Sequence, residues 1–164
     1  MASPTGDLTT LLSRLAAARV EFVLVGGLAA VAQGAPITTH DVDIVPKRTA
    51  ANIDRLLEFL VSIDARYRGR PSHEVLRPRR AALLGPGHSL LLMTNLGPVD
   101  VLGATEKGGN FEELIGHAIE IDVRGSPVNV LGLPMLIELK RGAKHPKDQY
   151  TLVVLEETLR RRGG

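Results

Sequence analysis

The sequence predicts an α/β (α+β) fold, a small mixed β-sheet flanked by helices, in a single domain spanning 1–164. Three observations carry this. Helix-period and strand-like stretches alternate over the first 62 residues. Two pairs of short apolar runs, at 88–102 and 118–131, are each joined by a few turn residues and predict antiparallel hairpins. A chain of 164 residues is the size of one domain, and at 44% hydrophobic but only 3% aromatic its core must be Leu, Val, Ile and Ala.

The elements follow in order. Residues 1–6 predict a disordered start. Asp7–Arg19 places Leu at 8, 11, 12 and 15, a helical spacing, with Asp7 or Thr5 as cap. Phe22–Val25 is short, β-branched and stopped by Gly26, which predicts a buried strand. Gly26-Gly27 predicts a turn that another group can approach closely, because it lacks Cβ atoms. Leu28–Gln33 is Ala-rich and predicts a short helix, ended by Gly34 and Ala35-Pro36. Asp41–Val45 predicts a strand, and Ala50–Ser62 a helix with the stripe Ile53, Leu56, Leu57, Leu60 and Val61.

Ala65–Arg80 is the compositional outlier. Arg66, Arg68, Arg70, Arg77, Arg79 and Arg80 stand against one acid, Glu74, and Pro71 and Pro78 break any long helix. An exposed positive connector is expected. It is either a solvated loop or a surface that contacts phosphates of a triphosphate or an RNA backbone. Tyr67 is its one aromatic residue, so base stacking is poorly supported.

Gly85-Pro86-Gly87 predicts a turn, His88–Thr94 a buried strand, and Pro98–Leu102 its hairpin partner. Asn110 and Glu113 have capping-box spacing before a short helix reaching about Gly116. Ala118–Val123 and Pro127–Leu131 predict the second hairpin. Pro134 suits the first turn of a helix whose apolar side is Met135, Leu136, Ile137 and Leu139. Lys140 and Lys144, four apart, are expected on one face of that helix. Pro146 opens a last helix with Leu152, Val153, Leu155 and Leu159 as its stripe, and residues 160–164 are expected to fray.

The chemistry concentrates in Val23–Val45. An apolar run stops at Gly26-Gly27; after thirteen intervening residues, Leu28 to His40, come Asp41-Val42-Asp43-Ile44-Val45. Strand alternation would put Asp41 and Asp43 on one face. Two carboxylates side by side repel unless a cation lies between them. Mg²⁺ suits them, being a hard ion that takes carboxylates together with substrate phosphates. Backbone N–H groups at the start of the following helix offer a phosphate cradle. An ordinary tight turn and a solvated strand face are the alternatives. A dinucleotide fingerprint starting at Gly26 would need Gly where Leu28 and Val31 stand, and no Gly-Lys-Ser/Thr of a P-loop is near. Asp100 lies alone inside an apolar strand, where burial without a partner is costly. It is either an edge residue facing solvent or a third carboxylate that joins Asp41 and Asp43.

The pattern apolar-Gly-Gly, about a dozen residues, Asp-x-Asp-apolar resembles the signature of the polymerase-β-like nucleotidyltransferase superfamily. The string Gly34-Ala35-Pro36-Ile37-Thr38-Thr39-His40-Asp41-Val42-Asp43-Ile44-Val45 resembles the branch of small bacterial proteins grouped with AbiEii-type toxins. The resemblance spans roughly Val20 to Leu155 and implies the nucleotidyltransferase fold. It implies that Asp41, Asp43 and Asp100 are catalytic and bind two Mg²⁺, with Mn²⁺ as the alternative ion. Gly26, Gly27, Thr39 and Lys140 would serve the nucleotide, and Asp148 the same site. Lys140 enters because Leu136-Ile137-Glu138-Leu139-Lys140 followed by Lys147-Asp148 matches a string recurrent in the family. Taken alone, these lysines are solvated and Asp148 complements its helix dipole.

The chain departs from its relatives at two places. Gln33 stands where a His is frequent, and Ile37 where an Arg is frequent; Thr39 is kept. The lost Arg puts one triphosphate or metal-neighbour contact in question, not the acids. The Gly26-Gly27-Leu28-Ala29-Ala30-Val31 turn is the toxin-like version, unlike the Gly-Ser-x-Ala-Arg-Gly of antitoxin-type relatives. The resemblance therefore implies a toxin–antitoxin protein that moves a nucleoside monophosphate from an NTP onto tRNA, with the arginines of 66–80 holding the RNA. Nucleotidylylation of a partner toxin or antitoxin protein, and a non-catalytic nucleotide- or partner-binding module, are the alternatives.

Composition sets bounds. Absence of Cys excludes disulfides, thiolate metal sites and a Cys nucleophile, and fits a cytoplasmic protein. The first residues hold Asp7 and Arg14 and no apolar core, unlike a signal peptide. No run approaches the ~18 apolar residues of a membrane span. The net charge of +2 is small.

Overall fold

The computed structural model describes residues 7–71, 73–85, 89–105, 107 and 109–163. Its elements are α1 (Leu8–Ala17), β1 (Phe22–Val25), α2 (Gly26–Ala32), β2 (Val42–Pro46), α3 (Ala50–Ser62), β3 (Arg66–Tyr67) and α4 (Arg80–Leu84). Then come β4 (Leu90–Thr94), β5 (Gly97–Val101), α5 (Phe111–Leu114), β6 (Ala118–Val123), β7 (Ser126–Leu131), α6 (Leu133–Lys140) and α7 (Pro146–Arg161). The strands form one mixed sheet of seven in the order β3-β4-β5-β2-β1-β7-β6.

β1 and β2 lie at the centre because their side chains can be buried on both faces. All four residues of β1 are buried, as are Val42, Ile44, Val45 and Pro46 of β2. They pair antiparallel, with β7 parallel to β1 on one side and β5 parallel to β2 on the other. Both predicted hairpins are present, β4 with β5 and β6 with β7. The core is aliphatic, as composition required. Leu11 and Leu15 of α1, Ile53, Leu56 and Leu60 of α3, and Val23, Leu24, Val42 and Ile44 of the central strands belong to one buried cluster, and all three Phe residues are buried with them.

Outer strands are covered on one face only. Along β4 and β5 the buried residues are Leu90, Leu92, Thr94, Gly97, Val99 and Val101; Leu91, Met93, Pro98 and Asp100 face the other way and keep contact with solvent. Register lines up Val25, Asp43, Asp100 and Leu91 directly across four strands. This row defines the open face.

Polar caps fix the covered parts. Asp7 caps α1 by accepting from Thr10 N at 3.0 Å, and the capping box of Asn110 and Glu113 is formed. Asn52, fully buried in α3, accepts from Glu21 N at 2.7 Å and donates to Glu21 O and Lys47 O. It ties the helix to the backbone at the outer ends of β1 and β2.

Several expectations are corrected. The glycine pair does not precede α2 but begins it. Asp41 lies just before its strand, not in it. The basic connector is not wholly a loop: Arg66–Tyr67 adds an edge strand to β4, and Arg80 opens α4. α6 stops at Lys140, so Lys144 lies in the following loop and the four-residue spacing means nothing there. α7 runs on to Arg161 instead of fraying at 160, and Val153, at 63% exposure, faces outward; the helix buries Leu155 and Thr158 instead. The start at 1–6, Gly164, and Pro86, Gly87 and His88 lie outside the described residues. Among the described residues no helix is long and apolar enough to cross a membrane.

Candidate active site

Close packing at two glycines builds the site. Gly26 has φ +71°, a left-handed backbone that favours glycine, and turns the chain out of β1 into α2. A Cβ on Gly26 would meet Asp43 Oδ2 at 2.2 Å, and one on Gly27 would meet Thr39 Oγ1 at 2.9 Å. The close approach expected at this pair is made by the chain's own Asp43 and Thr39. Thr39 Oγ1 in turn donates to Asp41 O at 3.4 Å. Gly26, Gly27, Thr39, Asp41 and Asp43 are thus one packed unit.

Asp100 joins them from β5 by register, directly opposite Asp43. One carboxylate oxygen from each of Asp41, Asp43 and Asp100 lies within 4.8 Å of the others, and all three residues are half-buried. Asp41 reaches the cluster although it lies outside the strand. Asp43 Oδ1 is fully buried and has no hydrogen-bond partner.

The electrostatics are those of crowded acids. Burial, then the charges of Asp41 and Asp100 and a hydrogen bond with Asp100, push the Asp43 carboxyl up to about 8; Arg68 pulls the other way. Asp41 is also raised, first by burial, then by the Asp100 charge and a hydrogen bond with it, against Arg68 and His40. An orphaned buried oxygen amid three converging carboxylates is a donor set for a hard divalent cation. The residues present fit such an ion.

Arg68 Nη2 donates to Asp100 Oδ1 in an ion pair whose side chains are 26% and 16% exposed. Sequence reasoning grouped Arg68 with the basic surface and missed this contact, which depends on a three-strand register with no local signal. The other arginines are elsewhere. Arg66 and Arg77 share Asp64, Arg80 pairs with Asp54 at 2.6 Å, and Arg70 with Glu74 at 3.7 Å. Arg79 forms no ion pair among the described residues.

Lys140 and Asp148 meet each other, Nζ to Oδ1 at 3.1 Å, where α6 ends and α7 begins. Neither forms a hydrogen bond or ion pair with the three aspartates. Gln33 is buried and structural: Nε2 donates to Ala29 O and Leu131 O, and Oε1 accepts from Leu133 N at 3.0 Å. Ile37 packs near Gly27, 4.0 Å from the position of its missing Cβ. A groove of about 540 Å³ between α6 and α7, lined by Pro134, Ile137 and Leu159, contains none of these residues.

The chain shares its fold with nucleotidyltransferases of known structure. A lincosamide antibiotic adenylyltransferase, LnuA, with lincomycin bound, is 13% identical with a TM-score of 0.58, covering 91% of this chain and 94% of that one. A candidate nucleotidyltransferase from Thermotoga maritima is 18% identical with a TM-score of 0.53, covering 93% and 89%. The antibiotic-resistance factor ANT(2'')-Ia is 16% identical with a TM-score of 0.52, covering 94% and 91%. No protein-family model matches the chain, and no curated protein matches it.

Proposed function

We propose that this protein transfers a nucleoside monophosphate from an NTP to an acceptor hydroxyl. The observation that carries the reading is the convergence of Asp41, Asp43 and Asp100 with Asp43 Oδ1 buried and unpartnered. These acids would hold Mg²⁺ or Mn²⁺, which supplies charge neutralisation at the triphosphate and a lowered pKa for the acceptor hydroxyl. Burial and the neighbouring acids favour the protonated form of the Asp43 carboxyl in the metal-free protein, and a bound cation would favour the ionised form. Gly26 and Gly27 hold Asp43 and Thr39 in place by leaving room for them. Asp100 is the outermost acid of the row and orients the acceptor hydroxyl. The acceptor hydroxyl would pass its proton to the Asp100 carboxylate as its oxygen bonds to the α-phosphorus, the bond to pyrophosphate breaks, and pyrophosphate leaves.

A small hydroxyl-bearing compound is the favoured acceptor. Two of the similar structures are named for antibiotics, and this chain spans nearly their whole length. Five of the six arginines proposed for RNA are engaged with the chain's own acids. The second reading, transfer to tRNA by a toxin–antitoxin protein, keeps the support of the toxin-like Gly26-Gly27-Leu28 turn and of Arg79.

The test supplies purified protein with Mg²⁺, each α-labelled NTP in turn, and separately lincomycin with other hydroxylated antibiotics, total tRNA, or protein extract. Label on a small compound, lost in Asp43→Ala, is the expected result. Label on RNA or on protein would select those acceptors. Nucleotide binding without pyrophosphate release from any mixture would leave a binding module and end the enzymatic reading.

A further inference from the structure

We propose that Arg68 is a positioning residue of this site: it holds Asp100 as a counter-ion until the site is loaded, and then turns to the triphosphate. The inference rests on the nucleotidyl-transfer reading and adds a residue to it.

Register sets the geometry. Arg68 N donates to Leu91 O at 2.9 Å, which fixes its backbone against β4. Leu91 stands opposite Asp100, and Asp100 opposite Asp43. Arg68, Leu91, Asp100 and Asp43 therefore form one row on the open face. Strands lie ~4.8 Å apart, so a guanidinium crosses Leu91 to reach the acid, and only a long side chain does so. The Arg68 guanidinium makes that contact, while Arg66, Arg70, Arg77 and Arg80 each turn to an acid outside the site.

Two consequences have opposite signs. The positive charge of Arg68 beside Asp100 offsets part of the negative charge that would draw a cation to the three acids, so Arg68 weakens metal binding in the absence of nucleotide. Once released, five N–H donors in a rigid fork suit phosphate oxygens, so Arg68 strengthens binding of a triphosphate. A purely structural role would weaken both when removed.

The test strips the protein with EDTA and titrates it with Mn²⁺, following the free-ion EPR signal, then measures binding of inorganic tripolyphosphate with Mg²⁺ present. Arg68→Gln should bind Mn²⁺ about tenfold more tightly and tripolyphosphate about tenfold more weakly. Arg68→Lys should move both in the same directions by less, and serves if the Gln variant does not fold. Arg70→Gln removes an equal charge two residues away and should change neither. Equal shifts in the Arg70 variant, no shift in the Arg68 variants, or weakening of both ligands would overturn the proposal. Wild-type protein that binds Mn²⁺ no better than Asp43→Ala would sink the underlying reading, and this inference with it.

Discussion

The backbone of Gly26 lies beneath the carboxylate of Asp43, so close that a methyl group at Gly26 would stand 2.2 Å from Oδ2. The strand end and the acid are fitted to each other. Gly26→Ala meets two penalties, a left-handed backbone worth ~1–2 kcal/mol and the displacement of Asp43. The expected result is destabilisation of about 2 kcal/mol or more, with Mn²⁺ binding lost. Gly27→Ala has no positive φ and presses on a Thr39 hydroxyl at 2.9 Å, so its effect should be smaller on both counts. Thermal melts beside Mn²⁺ titrations of the two variants check the order.

The metal-free protein should lose stability as pH rises from 6 to 8. Asp43 has a carboxyl pKa of about 8 when folded and an ordinary one near ~4 when unfolded. Between those values the folded state holds one more proton, and raising pH removes it at a cost to the folded form. The slope reaches at most ~1.4 kcal/mol per pH unit for this group. Carboxylates lowered by their partners, such as Glu157 between Arg160 and Arg161, are fully ionised in both states over this window and add no slope. Melting temperature in EDTA should therefore fall between pH 6 and 8. Mg²⁺ should restore it at pH 8, and Asp43→Asn should abolish this component while eliminating transfer. A flat profile in EDTA that matches the Asn variant would contradict the raised carboxyl.

Local signals were legible; long-range register was not. The bounds of α3, the capping box at Asn110 and the strand β6 each depend on residues a few positions apart and formed where the pattern placed them, although Val61 of the expected α3 stripe is 68% exposed and the helix buries Asn52 and Phe59 beside Ile53, Leu56 and Leu60. Asp41 and Asp43 were readable as a local pair, although strand alternation is not what brings them together, since Asp41 precedes β2; Asp100 was readable because a carboxylate in an apolar strand requires a partner. The strand at Arg66–Tyr67 was not readable, because two residues become a strand only by pairing with Leu92 and Met93. The contact from Arg68 to Asp100 depends on that pairing and was hidden with it. The spacing of Lys140 and Lys144 misled because Gly142, with φ +80°, follows the end of the helix.

Gln33 should matter for stability and little for chemistry. Its side chain is 4% exposed and its Oε1 takes Leu133 N, an amide at the start of α6 that no helical carbonyl can satisfy. Gln33→Ala leaves that amide unpaired and removes packing between α2 and β7. The expected loss is about 1–3 kcal/mol, with Mn²⁺ affinity near that of wild type at temperatures where the variant is folded. A urea melt and an Mn²⁺ titration separate the two effects. Loss of metal affinity without loss of stability would move Gln33 into the site.

Lys140 separates a surface ion pair from a nucleotide contact. Its bond to Asp148 joins side chains that are 38% and 42% exposed, and exposed pairs contribute ~0–1 kcal/mol. Lys140→Ala and Asp148→Ala should each change stability by less than about 1 kcal/mol, and the double variant by little more. If Lys140 also serves the triphosphate, its loss raises the KM for NTP several-fold at unchanged stability. Asp148→Ala would free the ammonium and leave KM equal or lower. A purely structural pair predicts the same small effect on KM from either variant. Steady-state pyrophosphate release over a range of NTP concentrations, run on both single variants, distinguishes these outcomes: opposite shifts in KM assign Lys140 to the nucleotide, and equal ones confine it to the joint between α6 and α7.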